Sequence, residues 1–199
     1  MSMKSISLFG WPSSSERARD RNIEVLGVPS DSGNGIASGA RFGPEAIRCA
    51  SQEMRPSATG VDHGDIDCVH GYDWVDVLER VERAVEGIAR RSSLPIVLGG
   101  DHAISYAAVA ALRGYHPLNI VWFDAHTDFC AWSGATWHNH KQVLRRISGL
   151  EHVGRILQIG HRGITYFDET RRFEKMTVVT ARAAPMLRTE SILEWLPAG

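Results

Sequence analysis

The chain alternates between short apolar runs, which are typical of buried strands, and longer amphipathic stretches, which are typical of helices. This alternation begins at about residue 22 and continues to the last residues. The apolar runs predict strands at Ile23–Val28, Leu94–Gly99, Asn119–Asp124, Arg155–Gly160 and Thr177–Thr180, with a weaker edge strand at Val61–Asp67.

The clearest predicted helix runs from Asp73 to Arg91. Its apolar residues recur at steps of three and four, namely Trp74, Leu78, Val81, Val85 and Ile88. Asp73 is suited to cap its N-terminus, and Arg90 to complement its C-terminus. Further helices are predicted to open at Gly43, to run over Ala103–Leu112 and Lys141–Ile147, and to cover Glu190–Leu196.

Strands that alternate with helices predict a three-layer α/β/α fold with a mostly parallel sheet. Residues 1–21 are mostly polar and are interpreted as an N-terminal extension, and residues 22–199 as one α/β domain. The sequence ends on Pro197-Ala198-Gly199, turn residues that usually lead into another element.

Composition narrows the class of protein. The 199 residues are 43% hydrophobic and 23% charged, enough for one substantial core, and the net charge is −1 at pH 7. The chain has no basic stripe for nucleic acid and no apolar stretch long enough to span a bilayer. Its three cysteines lack C-x-x-C spacing, which favours a reducing compartment and predicts a cytoplasmic protein. Cys130 is interpreted as a small buried side chain.

Candidate chemistry follows two of the predicted strands. Asp124, His126 and Asp128 occupy alternate positions after an apolar run, and alternate side chains of an extended backbone point the same way. Three ionisable groups aimed at one point repel one another unless a cation binds them. Two carboxylates and an imidazole suit a hard-to-borderline divalent cation.

His102 follows Gly99-Gly100-Asp101 at the end of another predicted strand. A lone histidine after two glycines is often only a structural hydrogen-bonding residue. In open α/β sheets, however, sites are built at the carboxyl ends of strands. Two such ends would supply four metal ligands: His102, Asp124, His126 and Asp128.

These motifs resemble the ureohydrolase family, which includes arginases, agmatinases, guanidinobutyrases and formimidoylglutamases. Gly99–His102 and Asp124–Asp128 are its two metal motifs. The segments Gly27–Gly33 and Gly39–Arg48 are similar to the agmatinase-like branch, and Asp62–Asp67 also resembles a family segment.

The resemblance implies a binuclear manganese site. His102, Asp124 and Asp128 would bind one or both ions, with the two carboxylates as bridges, and His126 would bind the second ion. A water held between two cations loses a proton near neutral pH and would attack the carbon of a guanidino or formimino group. Guanidino substrates would give urea and an amine.

The resemblance also implies a proton-shuttling histidine on the loop after the second motif. His138 and His140 are the candidates, and His140 is preferred because it directly precedes the predicted helix. The alternative is that both are surface histidines. His138 and Asn139 are assigned to substrate binding, and Asp128 is given a catalytic role besides its ligand role.

The sequence departs from the family pattern in two respects. The family's Ser-x-Asp-x-Asp strand is not found between Arg155 and Gly199, so the chain is expected to lack the C-terminal part of the fold. The chain then has four metal ligands, whereas the family has six. This difference leaves open whether two ions, one or none is bound. A sheet cut there would also expose an apolar edge. The residues after Asp128 differ from those of arginases, which argues against free arginine and leaves agmatine, another guanidino compound or a peptidyl arginine.

Two hypotheses from different classes therefore stand. The first is a metal-dependent hydrolase of guanidino C–N bonds. The second is a truncated, inactive relative that acts as a binding module, or that needs a second chain to complete its metal site and sheet. A homo-oligomer is expected in either case, and neither nucleic acid nor membrane is an expected partner. A deacetylase-like zinc hydrolase is a weaker third alternative, because Gly99–His102 does not favour it.

Overall fold

A computed structural model describes residues 6–13, 23–33, 38–68, 73–131, 139–163 and 174–196. In these residues the strands are β1 Ile23–Val28, β2 Val61–Asp65, β3 Leu94–Gly99, β4 Leu118–Phe123, β5 Val153–His161 and β6 Met176–Thr180. The helices are α1 Gly43–Ser51, α2 Trp74–Arg90, α3 Ile104–Ala110, α4 Val143–Ser148 and α5 Thr189–Trp195. Short 3-10 turns lie at Leu8–Gly10, Ala40–Phe42, His140–Gln142 and Ala184–Met186.

The strands form two three-stranded sheets, in the orders β2-β1-β3 and β4-β5-β6. Every strand pair is parallel, and helices connect and flank the strands, so the predicted α/β class is confirmed. The chain divides into two compact units: unit 1 comprises Met1–Leu112 and His138–His140, and unit 2 comprises Arg113–Trp137 and Lys141–Gly199.

The core of unit 1 lies where α2 and α3 pack on the sheet. The apolar stripe of α2 faces this core through Val77, Leu78, Val81, Val85 and Ile88. The predicted cap of α2 is confirmed, because the Asp73 carboxylate accepts the Asp76 N–H at 2.9 Å and the Asp76 carboxylate accepts the Asp73 N–H. This reciprocal pair fixes where the helix begins.

Residues 6–13 are packed rather than loose. Leu8 and Trp11 are buried in a second cluster with Val25 and Leu98, and the Leu8 N–H donates to Asp62 at 2.6 Å. Two apolar side chains in a polar stretch are therefore enough to dock this segment. The division between residues 1–21 and 22–199 stays a prediction.

Strand β5 lies at the centre of the sheet in unit 2. Ile156, Leu157 and Ile159 on this strand are buried, as are Leu144 and Ile147 of α4. α5 is joined to the same strand, because the Arg155 guanidinium lies 4.6 Å from the centre of the Trp195 ring and donates to the Trp195 carbonyl at 2.9 Å.

Strands β3 and β4 each form one edge of their sheet. Both are almost continuously apolar, a composition typical of inner strands of parallel sheets. Most of their residues are only half-buried, whereas β1 and β5 are largely buried. Leu94 at the start of β3 is 59% exposed, and Phe123 at the end of β4 is 74% exposed. Two strands of inner-strand composition therefore lie at sheet edges, although neither is the C-terminal edge at which the sequence predicts an exposed apolar strand.

Within the described ranges, none of the helices combines the length and the apolarity that a membrane crossing requires.

Candidate metal centre

In unit 1 the candidate ligand His102 lies in a tight turn between β3 and α3. The Gly100 N–H donates to the Val28 carbonyl at 3.3 Å. A Cβ at Gly100 would lie 2.5 Å from the carbonyl oxygens of both Val28 and Ser30. The turn therefore requires glycine at this position, and it places the half-buried His102 immediately after the carboxyl end of β3.

Asp101 holds this turn from inside the protein. It is 3% exposed, and its carboxylate accepts the Ala103 N–H at 2.8 Å. Burial raises the pKa of Asp101 despite this hydrogen bond and the nearby histidines. The sequence analysis used Asp101 only as part of a motif. Asp101 lies two residues before Ala103, whose N–H precedes α3. An aspartate in that position often accepts such an N–H, and this was the available signal that Asp101 holds the turn.

His140 belongs to unit 1 and lies beside Asp101. Its Nδ1 lies 2.9 Å from the Gly33 carbonyl oxygen and 3.7 Å from an Asp101 oxygen. Because a carbonyl only accepts, Nδ1 carries the proton in this contact and Nε2 is left with the lone pair. The preferred shuttle candidate therefore has a fixed ring and a defined tautomer.

The structure describes only one of the other two residues assigned to this loop, His138 and Asn139. His138 lies outside the described residues. Asn139 is half-buried. The roles assigned to them in substrate binding stay predictions.

In unit 2 the Asp124–Asp128 segment does not continue the extended strand. β4 ends at Phe123, and an Asp124 oxygen accepts the His126 N–H at 2.8 Å, which turns the backbone. Asp128 has φ 48°, in the left-handed region. The expectation that alternation along an extended backbone would align the three side chains is therefore wrong, because side-chain hydrogen bonding to the backbone replaced the strand.

The turn nevertheless brings Asp124 and Asp128 together, and it leaves His126 beside Asp124 on the surface. One carboxylate oxygen of Asp124 lies within 4.8 Å of one of Asp128, and His126 Nδ1 lies 3.4 Å from Asp124 Oδ1. Asp128 is 7% exposed, whereas the His126 side chain is 75% exposed. Two neighbouring carboxylates at a strand end fit a hard-to-borderline divalent cation.

Neighbouring residues fix this turn. Gln158 on β5 is fully buried, and its amide nitrogen donates to the His126 carbonyl. Phe129 and Cys130 have no exposed surface and anchor the chain after Asp128, which confirms Cys130 as a small buried side chain. The sequence analysis missed Gln158, although a lone amide inside an apolar strand was a usable signal.

His161 was also missed, and it ends the strand next to β4. It is 5% exposed. Burial lowers the pKa of His161, and the neighbouring His126 lowers it further, against a hydrogen bond with Ala125 that raises it. His161 follows Gly160 at the end of β5, and His102 likewise follows glycines shortly after β3. This similarity was the signal in the sequence that could have identified His161.

The four proposed metal ligands thus lie at the carboxyl ends of β3 and β4, one strand in each unit, in a parallel α/β protein. The chain matches the family described as the arginase family over residues 21–197, and it belongs to that family. This family corresponds to the ureohydrolases identified from the sequence motifs.

Particular relatives support this assignment. The mitochondrial agmatinase of Gallus gallus is 35% identical over 163 residues, covering 75% of this chain and 48% of the relative. The solved proclavaminate amidino hydrolase of Streptomyces clavuligerus has a TM-score of 0.82 and 26% identity, covering 97% of this chain and 68% of that one. The chain spans about half the length of the curated relatives it matches.

A more distant structure shows the fold alone. The formiminoglutamase of Trypanosoma cruzi, solved with Mn2+, has a TM-score of 0.80 at 20% identity, covering 94% of this chain and 69% of that protein.

Proposed function

We propose that the chain catalyses manganese-dependent hydrolysis of a guanidino C–N bond, with release of urea and an amine. The observation that carries the proposal is the pair of neighbouring Asp124 and Asp128 carboxylates at the end of β4. Membership of the arginase family supports it, because the relatives include enzymes named agmatinase, guanidinobutyrase and guanidinopropionase.

The proposed metal ligands are His102, Asp124, His126 and Asp128. Carboxylate oxygens suit Mn2+, and imidazole nitrogens complete a borderline donor set, so the residues fit this ion. When bound, the cation would supply Lewis acidity and make water a stronger nucleophile at neutral pH. Asp128 is also proposed to orient the attacking water, since its carboxylate is held in a buried turn.

His140 is the proposed proton carrier. Its Nδ1–H is engaged by the Gly33 carbonyl, so Nε2 is the nitrogen that accepts a proton and returns it to the departing amine. Asp101 lies 3.7 Å from Nδ1, on the side of the ring that the Gly33 carbonyl also holds. His138 and Asn139 are proposed to contact the substrate.

The substrate is proposed to be agmatine, another guanidino compound or a peptidyl arginine. The named relatives act on different guanidino compounds, so family membership alone does not select one of them. The residues after Asp128 differ from those of arginases that act on free arginine, according to the family resemblance. This difference argues against free arginine as the substrate. The protein is also proposed to be cytoplasmic and to form a homo-oligomer.

A urea-release assay with Mn2+ over agmatine, guanidinobutyrate, arginine and an arginine-containing peptide tests the proposal. We expect urea from at least one guanidino compound. Asp124→Asn and His126→Ala should each lower the rate by about a hundredfold or more, because each removes a metal ligand. Both variants should also lose Mn2+ affinity in a direct binding titration.

Glu194→Gln is the matched control, since it removes one carboxylate charge from the exposed surface of α5. We expect it to retain wild-type rate and metal affinity. Unchanged hydrolysis in Asp124→Asn or in His126→Ala would show that the metal site is assigned wrongly.

A second candidate function is that of a binding module whose sheet is completed by another chain. The apolar strands β3 and β4 at the sheet edges favour it, since unpaired strand edges are templates for pairing. Absence of urea release from the wild type with every substrate, together with association through these edges, would support this candidate over the hydrolase.

A further inference from the structure

An open cavity of about 690 Å³ lies in unit 1, between the end of β2 and the C-terminal half of α2. This volume is within the range of small-molecule sites. Among the described residues that line it, none belongs to the turn that carries His102. The proposed hydrolase chemistry therefore makes no use of the cavity.

Two arginines of α2 flank a gap in the cavity wall. Arg83, Gly87 and Arg91 are spaced by four residues, so they share one face of the helix. A Cβ at Gly87 would meet only the Arg91 Nη1, at 3.6 Å. The glycine thus leaves open space beside the Arg91 guanidinium, in a cavity that Arg83 and the apolar side chains of Leu26 and Ile88 also line.

The buried Glu24 carboxylate orients Arg91 in this wall. It accepts from Arg91 Nη2 at 2.5 Å and from Arg91 Nε at 3.2 Å, and it lies 2.6 Å from His63 Nε2. These contacts engage one edge of the Arg91 guanidinium and leave Nη1 on the side of Gly87. Arg91 is therefore pre-organised, with both hydrogens of Nη1 remaining for a ligand.

Among the described charged groups that line this cavity, Arg83 alone is outside an ion pair. Asp65 also lines the cavity, and it shares Arg48 with the buried Asp62. Arg83 is exposed, and its guanidinium has no hydrogen bond or ion pair within the part of the chain that the structure describes.

We infer that this cavity binds a small oxyanion, a carboxylate or a phosphate, between Arg83 and Arg91. Guanidinium groups bind the planar edge of a carboxylate and the oxygens of a phosphate through paired N–H donors. An aliphatic tail on the ligand would lie against Leu26 and Ile88. The inference does not depend on the hydrolase proposal, because it uses none of the metal-site residues.

Isothermal titration calorimetry of the full chain with sodium hexanoate and, separately, inorganic phosphate tests this inference. We expect saturable binding of at least one probe. Arg83→Gln should weaken that binding by about tenfold or more, because it removes a charge-assisted hydrogen bond to the ligand. Gly87→Leu should abolish binding by filling the gap.

Arg90→Gln is the matched control. Arg90 is on the same helix, has a 76% exposed side chain, pairs with Glu86 and does not line the cavity. It should keep the wild-type affinity within about twofold. Tighter binding of hexanoate identifies a carboxylate site with an apolar subsite, and tighter binding of phosphate identifies a phosphate site. Absence of saturable binding by the wild type up to ~10 mM of either probe, or equal affinity in Arg83→Gln and Arg90→Gln, would overturn the inference.

Discussion

Glu24 is an ionised group near the start of the buried strand β1. It is 1% exposed, and it is held by Arg91, His63 and Ser93. Burial alone would raise the pKa of Glu24, but the hydrogen bonds from these three residues outweigh it and lower the pKa to about 2 from its ordinary value of 4.5. A buried carboxylate of this kind is stable only while its partners stay in place.

The free energy of unfolding is expected to depend on this carboxylate in acid. Because the folded-state pKa is depressed, its contribution is complete above pH 4.5 and is lost as the pH falls toward 2. The contribution is about 3 kcal/mol at most. Urea unfolding measured from pH 7 to pH 2 should show this decline in the wild type and a shallower one in Glu24→Gln.

Glu194→Gln again serves as the control for this prediction, since it removes an exposed carboxylate of α5. Its curve should run parallel to that of the wild type. Parallel curves for the wild type and Glu24→Gln would instead show that Glu24 has an ordinary pKa.

At the scale of elements, the turn between β3 and α3 is the most constrained connection near the candidate site. Gly100 is within hydrogen-bonding distance of Val28, and Asp101 holds the following amide of Ala103. The turn combines close backbone approach with a buried carboxylate. The position of His102 therefore depends on Gly100, because the turn has no room for a side chain there.

Gly100→Ala is expected to destabilise the protein by about 1–3 kcal/mol, because the added Cβ would meet two carbonyl oxygens at 2.5 Å. Chemical unfolding measures this loss. If His102 is a metal ligand, Mn2+ affinity should fall as well. Gly114→Ala is the control, since a Cβ there meets nothing within 4 Å. Equal stability of the two variants would show that the turn has room for a side chain.

At the scale of the whole molecule, each compact unit presents one apolar sheet edge. Phe123, at the end of β4, is as exposed as Met186, at 74%, but Met186 lies in a 3-10 turn away from any strand. An exposed apolar strand is a template for pairing with another chain, whereas a single exposed side chain in a turn is not. Association should therefore depend on Phe123 more than on Met186.

Sedimentation velocity over a range of concentrations tests this expectation. We expect the wild type to associate as its concentration rises. Phe123→Lys should shift it toward monomer, because a lysine on an edge strand opposes pairing. Met186→Lys should behave like the wild type. A wild type that is monomeric throughout, or equal association of the two variants, would contradict a role for the β4 edge.

The sequence determined the element order and the family, because both are encoded locally. The stripe of α2 and its Asp73 cap involve residues three or four positions apart, and the strands are continuous apolar runs. The two metal motifs lie within five residues each, so they were also readable from the sequence. Their assignment to the ends of β3 and β4 followed from the apolar run before each motif.

Only the tertiary structure decided how these residues are presented. His126 is exposed and Asp128 buried because a hydrogen bond from the His126 N–H to the Asp124 carboxylate turns the backbone, which strand periodicity does not predict. The Leu8 N–H donates to Asp62, 54 positions away, and Glu24 is ionised because of Arg91, 67 positions away. Local pattern specifies helices and strands, whereas burial, pKa and side-chain direction depend on contacts between residues that are distant in the sequence.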